Sequence, residues 1–168
     1  TPCLAAGGGI RQRDLATVQG KSYQGYVWLK AATDQGGSVQ IALVCGDNSG
    51  QRQVHTIANV TATYQKYDFA FTAAADCDEA MLEIAAKDQA VLVGTVSLMP
   101  ADNVRGMRAD TLAVLKQLNA PIYRWPGGNF VSGYDWRDGI GPRDRRPPRK
   151  NPAWTGVEHN DFGIDEFI

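Results

Sequence analysis

From Lys21 to about Met99 apolar residues recur at alternate positions in short runs, broken by clusters of Gly, Asp, Asn and Thr. A period of two sends successive side chains to opposite faces of an extended chain, so this stretch predicts an all-β sandwich. Tyr23, Val27 and Leu29 share one face of a first strand. Val39, Ile41, Leu43 and Cys45 alternate along a second, which closes at Gly46-Asp47-Asn48-Ser49-Gly50, a strong turn signal. Tyr67, Phe69 and Phe71 mark another strand, Leu82 and Ile84 the next, and Val91, Val93, Val96 and Leu98 a final one after a turn at Lys87-Asp88. About six strands in roughly eighty residues is the spacing of a sandwich.

Past Pro100 the period changes. Leu112, Leu115 and Leu118, with Val114 four before Leu118, predict one amphipathic helix over Arg108 to Asn119. It must stop near Ala120, because Pro121 biases the residue before it away from helical angles. Ile122-Tyr123-Arg124-Trp125 then reads as a short strand running into Pro126-Gly127-Gly128-Asn129, whose glycines allow a tight turn. From Ser132 to Thr155 Gly, Pro, Arg and Asp dominate, predicting a long loop whose Trp and Tyr content points to function. Phe162, Ile164, Phe167 and Ile168 predict the start of a helix. The opening Thr1-Pro2-Cys3-Leu4 has neither an initiator Met nor the look of a signal peptide. A chain cut at both ends is the expectation, compatible with secreted, periplasmic or cytoplasmic settings.

Composition narrows the function classes. Apolar residues make up 43% and charged residues 21%, close to the globular average. Seventeen Lys and Arg against eighteen Asp and Glu leave a net charge of -1, so no global field draws the chain to nucleic acid or to an anionic membrane. Apolar runs fall far short of the roughly 18 residues of a membrane span. Three widely spaced cysteines, Cys3, Cys45 and Cys77, argue against a disulfide scaffold and a zinc cluster. Buried thiols are expected, with a Cys45–Cys77 bridge as the alternative.

Several local features have a bland reading and a sharp one. Glu158, Asp161, Asp165 and Glu166 resemble an acid/base cluster, but carboxylates at a helix start are more often caps. His55, in an alternating strand, is expected to be solvated, and neither it nor His159 suits a metal. Arg143, Arg145, Arg146, Arg149 and Lys150 form a basic run, read as a structural loop because Pro147-Pro148 and Asp144 interrupt it. In the sandwich, Trp28, Tyr26 and Tyr64 offer a candidate sugar-stacking platform, against which core or edge packing is weighed.

The block Ser97-Leu98-Met99-Pro100-Ala101-Asp102-Asn103, then Tyr123 to Phe130, then Gly133-Tyr134-Asp135-Trp136-Arg137-Asp138-Gly139-Ile140-Gly141 resembles the α-L-arabinofuranosidases of glycoside hydrolase family 51. The similarity runs on through Arg146-Pro147-Pro148-Arg149 and Trp154 to Glu158-His159-Asn160-Asp161. The earlier segments Gly20-Lys21-Ser22-Tyr23 and Tyr64 to Phe69 resemble a carbohydrate-binding-module type of β-sandwich. The resemblance implies residues 1–100 as a jelly-roll-like sandwich, and residues 101–168 as the first βα unit or units of a (β/α)8 TIM barrel, incomplete in this chain.

It also implies an activity: retaining hydrolysis of terminal arabinofuranosyl residues of arabinoxylan or arabinan, with no metal or organic cofactor. Asn129 would bind the arabinofuranose, Arg124 would orient the nucleophilic carboxylate from behind, and Trp154 would wall the scissile bond. The family's acid/base lies in an Asn-Glu pair after its fourth strand and its nucleophile after its seventh. This sequence has no Asn-Glu dipeptide, so no catalytic residue is expected within it. The implied partners are an arabinose-containing polysaccharide, a complementing chain that closes the barrel, and further copies in a homo-oligomer, without nucleic acid or membrane. The reading from a different class is a noncatalytic carbohydrate-binding fragment.

Overall fold

A computed structural model describes residues 1–46 and 51–168. Residues 47–50 of the turn predicted at Gly46 to Gly50 lie outside the described residues. The chain divides into two compact units, Thr1–Arg108 and Ala109–Ile168.

The first unit is a sandwich of two four-stranded antiparallel sheets. Its strands are β1 (Cys3–Leu4), β2 (Gly9–Thr17), β3 (Ser22–Ala31), β4 (Val39–Cys45), β5 (Arg52–Ile57), β6 (Gln65–Thr72), β7 (Cys77–Ala86) and β8 (Val91–Pro100). One sheet has the order β1-β8-β3-β6 and the other β2-β7-β4-β5. The alternation seen in sequence is what closes them. Val27 and Leu29 of β3, Val39 and Ile41 of β4, and Val91 and Val93 of β8 are essentially inaccessible and meet in one core with Phe69, Phe71, Leu82 and Ile84. Burial of so many apolar side chains supplies the main drive for this unit to fold.

The outer face of the β2-β7-β4-β5 sheet is closed differently. Arg52 of β5 lies opposite Val44, and Glu83 of β7 lies opposite Ala42. The two charged side chains pair across β4, over the small buried cluster of Ala42, Val44 and Met81.

Two expectations change here. The thiols of Cys45 and Cys77 are not free: they form a disulfide, and Cys3 is an exposed free cysteine. Cys45 ends β4 and Cys77 begins β7, its antiparallel neighbour, so pairing brings their Cα atoms to 5.8 Å, within bridging range. His55 is half-buried rather than solvated, because it lies opposite the core residue Ile41 and its ring sits 6.4 Å from that of Phe69.

The second unit opens with α1 (Ala109–Leu118), none of whose residues is buried. Asp110 in its first turn and Lys116 in its last complement the helix dipole. The helix ends where Asn119 turns to φ 45° and donates its N–H to the Lys116 carbonyl. The strand expected at Ile122 to Trp125 is not formed. A strand exists only through ladder bonds to a neighbour, and this segment joins none of the sheets among the described residues. Instead the Tyr123 hydroxyl donates to the Leu115 carbonyl at 2.7 Å, tying the segment back to α1.

The long loop is more ordered than its composition suggests. It contains three short 3-10 turns, Gly128–Ser132, Trp136–Gly139 and Arg143–Arg145. A ribbon pairs β9 (Arg149–Lys150) with β10 (Val157–Glu158), and the chain reaches α2 (Ile164–Phe167), a single turn. Among the described helices none is long and apolar enough to cross a membrane.

Candidate functional site

The second unit is held by a buried cation. Arg146 is 8% exposed, and its guanidinium donates to the Gly141 carbonyl, to the Asn160 carbonyl at 2.8 Å, and to both oxygens of Glu166 at 2.6 and 3.0 Å. A planar fork facing a carboxylate is the geometry that makes such pairs strong. Glu166 also accepts from the Gly163 N–H at 2.7 Å, and Asp165 accepts from the Gly141 N–H at 2.9 Å. Burial pushes the Glu166 carboxyl upward, but the hydrogen bonds from Arg146 and Gly163 outweigh it and hold the group at about 2. Glu166 and Asp165 thus cap and anchor the loop, as the bland reading of that cluster expects.

Close backbone packing reinforces the same place. A Cβ on Gly163 would fall 2.0 Å from the Gly139 carbonyl oxygen, so only glycine allows the two segments to touch there. Two further cations of the basic run are paired: Arg143 with Glu166 at 3.4 Å, and Arg149 with Asp138 at 2.8 Å.

On this base sits a set of aromatic rings. Trp125 meets Tyr134 edge-on at 5.4 Å and stacks on Phe167 at 6.0 Å, while Phe130 lies 4.7 Å from Tyr134. The Trp154 ring stacks on Phe130 at 6.2 Å with 19° between planes. Asn151 fixes that tryptophan's backbone by accepting from the Ala153 and Trp154 N–H groups. Asn129 immediately precedes Phe130 and is exposed. The Arg124 guanidinium folds over the same turn, since a Cβ on Gly127 would lie 3.6 Å from its Nε and Nη2. Arg124, Asn129 and Trp154 therefore gather at the turn formed by residues 127–130, all with exposed side chains.

Sequence reasoning did not single out Tyr134 and Asn160. One shallow cleft is lined by Trp125, Pro126, Phe130, Tyr134, Glu158 and Phe162. A neighbouring, more polar one runs past Tyr134, Asp135, Asp138, Glu158 and Asn160. The Tyr134 hydroxyl and the Asn160 Oδ1 are buried without a hydrogen-bond partner in the chain. Burial, with the negative charge of Glu158, raises the Tyr134 phenol above its ordinary value, so it stays protonated. The only sequence trace of either residue is its place inside the long motif block. Of the other candidates, Trp28, Tyr26 and Tyr64 lie in the sandwich: Tyr26 and Trp28 are half-exposed on β3, and Tyr64 precedes β6. No group of three His, Cys, Asp or Glu is placed to hold a metal among the described residues.

In fold, 98% of the chain superposes on 30% of an arabinose-bound family 51 α-L-arabinofuranosidase crystal structure, with a TM-score of 0.74 at 18% identity. The likeness is one of fold: a β-sandwich followed by a loop-rich unit. Residues 114–168 match the family model described as Alpha-L-arabinofuranosidase 1 domain. A probable α-L-arabinofuranosidase C of Aspergillus terreus is 52% identical over 69 residues, which are 41% of this chain and 14% of that protein. An intracellular exo-α-(1->5)-L-arabinofuranosidase of Bifidobacterium longum is 50% identical over 68 residues, 40% of this chain and 12% of its own length. The chain is similar to an N-terminal portion of the family 51 α-L-arabinofuranosidases, with residues 114–168 carrying the match to the family model. It spans about one seventh of the length of these curated relatives.

Proposed function

We propose that this chain supplies the sandwich and the first substrate-contacting loop of a retaining α-L-arabinofuranosidase acting on terminal arabinofuranosyl residues of arabinoxylan and arabinan. The observation that carries the reading is the convergence of Arg124, Asn129 and Trp154 on one ordered turn inside the family-matching segment. An amide both donates to and accepts from sugar hydroxyls, so Asn129 binds the arabinofuranose. A guanidinium grips a carboxylate with two parallel bonds, which suits Arg124 to positioning the nucleophile. The Trp154 indole gives an apolar wall beside the scissile bond.

A retaining glycosidase needs two carboxyl groups about 5 to 5.5 Å apart, one as acid/base and one as nucleophile. Within the second unit, Glu166, Asp165 and Asp138 are committed to the bonds that hold the loop. The sequence also has no Asn-Glu pair of the kind that carries the family's acid/base, so in this reading the catalytic pair is supplied by polypeptide outside these 168 residues, which also completes the barrel begun after α1. In the complete barrel Ile122 to Trp125 gains strand partners, and the active site lies at the carboxyl end of that strand.

The experiment begins with native mass. The purified chain alone is expected to leave an aryl arabinofuranoside intact, and an assembly that includes the rest of the barrel to hydrolyse it. In that assembly Asn129→Ala lowers turnover on the order of a hundredfold, the scale of a lost transition-state hydrogen bond. An active assembly indifferent to both Asn129→Ala and Trp154→Ala would overturn the assignment. Glycan retention without turnover in any assembly would favour the noncatalytic carbohydrate-binding reading, for which the aromatic side chains of the sandwich speak.

A further inference from the structure

Tyr134 stands between the buried anchor of the second unit and the turn at residues 127–130. A Cβ on Gly139 would come 2.5 Å from the Tyr134 hydroxyl oxygen and 3.1 Å from the Gly163 Cα. The far end of the phenol is therefore seated on the contact between two glycines, beside which Arg146 bonds to Gly141 and Glu166 to Gly163. The ring itself carries aromatic contacts: Trp125 meets it edge-on at 5.4 Å, and Phe130 lies 4.7 Å away. Phe130 in turn stacks on Trp154 and follows Asn129 directly in sequence. A Cβ on Gly133 would fall 2.7 Å from the Pro152 Cβ, so the backbone just ahead of Tyr134 touches the segment that leads to Trp154.

Ring and hydroxyl contribute separately. The hydroxyl is buried without a hydrogen-bond partner in the chain, and a buried polar group whose bond is unmade adds no stability. The contacts that order the neighbourhood belong to the ring. Ring pairs constrain both the distance and the tilt of their partners. Where a substrate-contacting group is displaced by about 1 Å, the rate falls on the order of a hundredfold.

We propose that Tyr134 is a positioning residue of this site: its ring carries the placement of the Gly139–Gly163 anchor to Phe130, and through Phe130 to Asn129 and Trp154. The catalytic side of this role rests on the reading of Asn129 and Trp154 as substrate-contacting residues. The transmission is a property of this chain and is read without substrate.

The test therefore has two arms. In the 168-residue chain the indole N–H resonance of Trp154, assigned by its loss in Trp154→Phe, is expected to shift in Tyr134→Leu and in Phe130→Leu and to hold its place in Tyr134→Phe. Exchange protection of the Gly163 amide, which Glu166 bonds, is expected to persist in all three. In an active assembly that contains the rest of the barrel, Tyr134→Leu lowers kcat on an aryl arabinofuranoside on the order of a hundredfold, while Tyr134→Phe keeps the parent rate. Gly139→Ala, which drives a Cβ against the hydroxyl oxygen, also lowers kcat, and adding Tyr134→Phe, which removes that oxygen, restores most of it. A Trp154 resonance indifferent to Tyr134→Leu would overturn the proposal, whatever the enzyme does. Loss of Gly163 protection in Tyr134→Leu would make the residue part of the loop's stability and overturn it too. Tyr134→Phe as damaging as Tyr134→Leu would move the role to the hydroxyl, and a Gly139→Ala loss that Tyr134→Phe leaves unrelieved would break the link to the anchor; either sinks the proposal. A shifted resonance in a chain whose every assembly lacks turnover would uphold the transmission and fail the substrate reading alone.

Discussion

The two units keep their shape by opposite means. Every buried apolar side chain among the described residues belongs to the sandwich, the last being Val93. In the second unit the buried side chains are Arg146 and Asn160, accompanied by Gly139 and Gly163, while Leu118, Ile122 and Trp154 are largely exposed. A hydrophobic core fixes a fold by excluded water and needs no particular partner, whereas a buried charge fixes only the groups bonded to it. The sandwich therefore carries its own stability. The loop unit has internal order but leaves large apolar side chains in water.

The sharpest way to break this contrast is Arg146→Met. The substitution takes the two-bond partner from the buried Glu166, leaving it only the longer contact to Arg143 and the Gly163 N–H, and it removes the bonds to Gly141 and Asn160. Losing one partner of a buried ion pair costs roughly 3 to 5 kcal/mol. Hydrogen exchange should rise throughout residues 132–168 and remain unchanged in β3, β4 and β7. Protection lost equally in both units would show that the sandwich depends on the loop.

Next in size is the disulfide. Cys45 and Cys77 are 32 residues apart in sequence, and closing a loop of that length stabilises by about 3 to 4 kcal/mol on the chain-entropy account. The Cys45→Ala/Cys77→Ala protein should melt lower in its sandwich transition while exchange in the loop unit keeps its rate. Non-reducing peptide mapping that finds three free thiols would remove the bridge itself.

Much of the sandwich was legible because a half-buried strand writes its burial into alternate residues, as in Val39, Ile41 and Leu43. β1 and β2 escaped for the same reason reversed. β1 is only two residues long, and β2 is exposed over most of its length, with register shifts around Leu15, so neither shows a period. The disulfide was legible only as the alternative to free thiols, because spacing does not say which strands become neighbours. The helix α1 was legible from Leu112, Leu115 and Leu118, and its end from Pro121. The strand at Ile122 to Trp125 was overcalled, since propensity is local but a ladder needs a partner. In the loop, sequence shows five cations without saying which one is buried, and only the fold selects Arg146. Arg124, Asn129 and Trp154 came from motif similarity. Tyr134 and Asn160 required the structure, because an unpartnered buried atom leaves no trace in composition.

A smaller effect follows from the Glu166 carboxyl, held at about 2 against an ordinary 4.5. Its folded value lies below its unfolded one, so the ionised form favours the folded loop. The contribution is complete above about pH 4.5 and is lost as the pH falls toward 2. At about 1.4 kcal/mol per unit, the loss is on the order of 3 kcal/mol. Loop exchange should accelerate over that window ahead of the sandwich, and Glu166→Gln should flatten the dependence while lowering stability at neutral pH. A loop whose exchange is indifferent to pH between 5 and 2 would mean that Arg146 does not depend on this partner.

The smallest expected effect concerns the exposed apolar face of α1. Leu118 and Val114 lie on α1 with 66% and 63% of their surfaces exposed. Truncating an exposed residue stays within about 0.5 kcal/mol, whereas truncating a buried leucine such as Leu29 costs about 2 to 5. In this chain Leu118→Ala should therefore leave thermal unfolding almost unmoved, and Leu29→Ala should lower it sharply. In an assembly that contains the rest of a barrel, the leucine gains a covering surface and its truncation should acquire a cost approaching that of a core position. Unfolding of both variants, measured with and without the complementing polypeptide, reads that gain as the difference between two differences. A Leu118→Ala penalty equally small in both settings would mean that this helix face stays in water, and that the apolar surface of the loop unit is not where the remaining polypeptide docks.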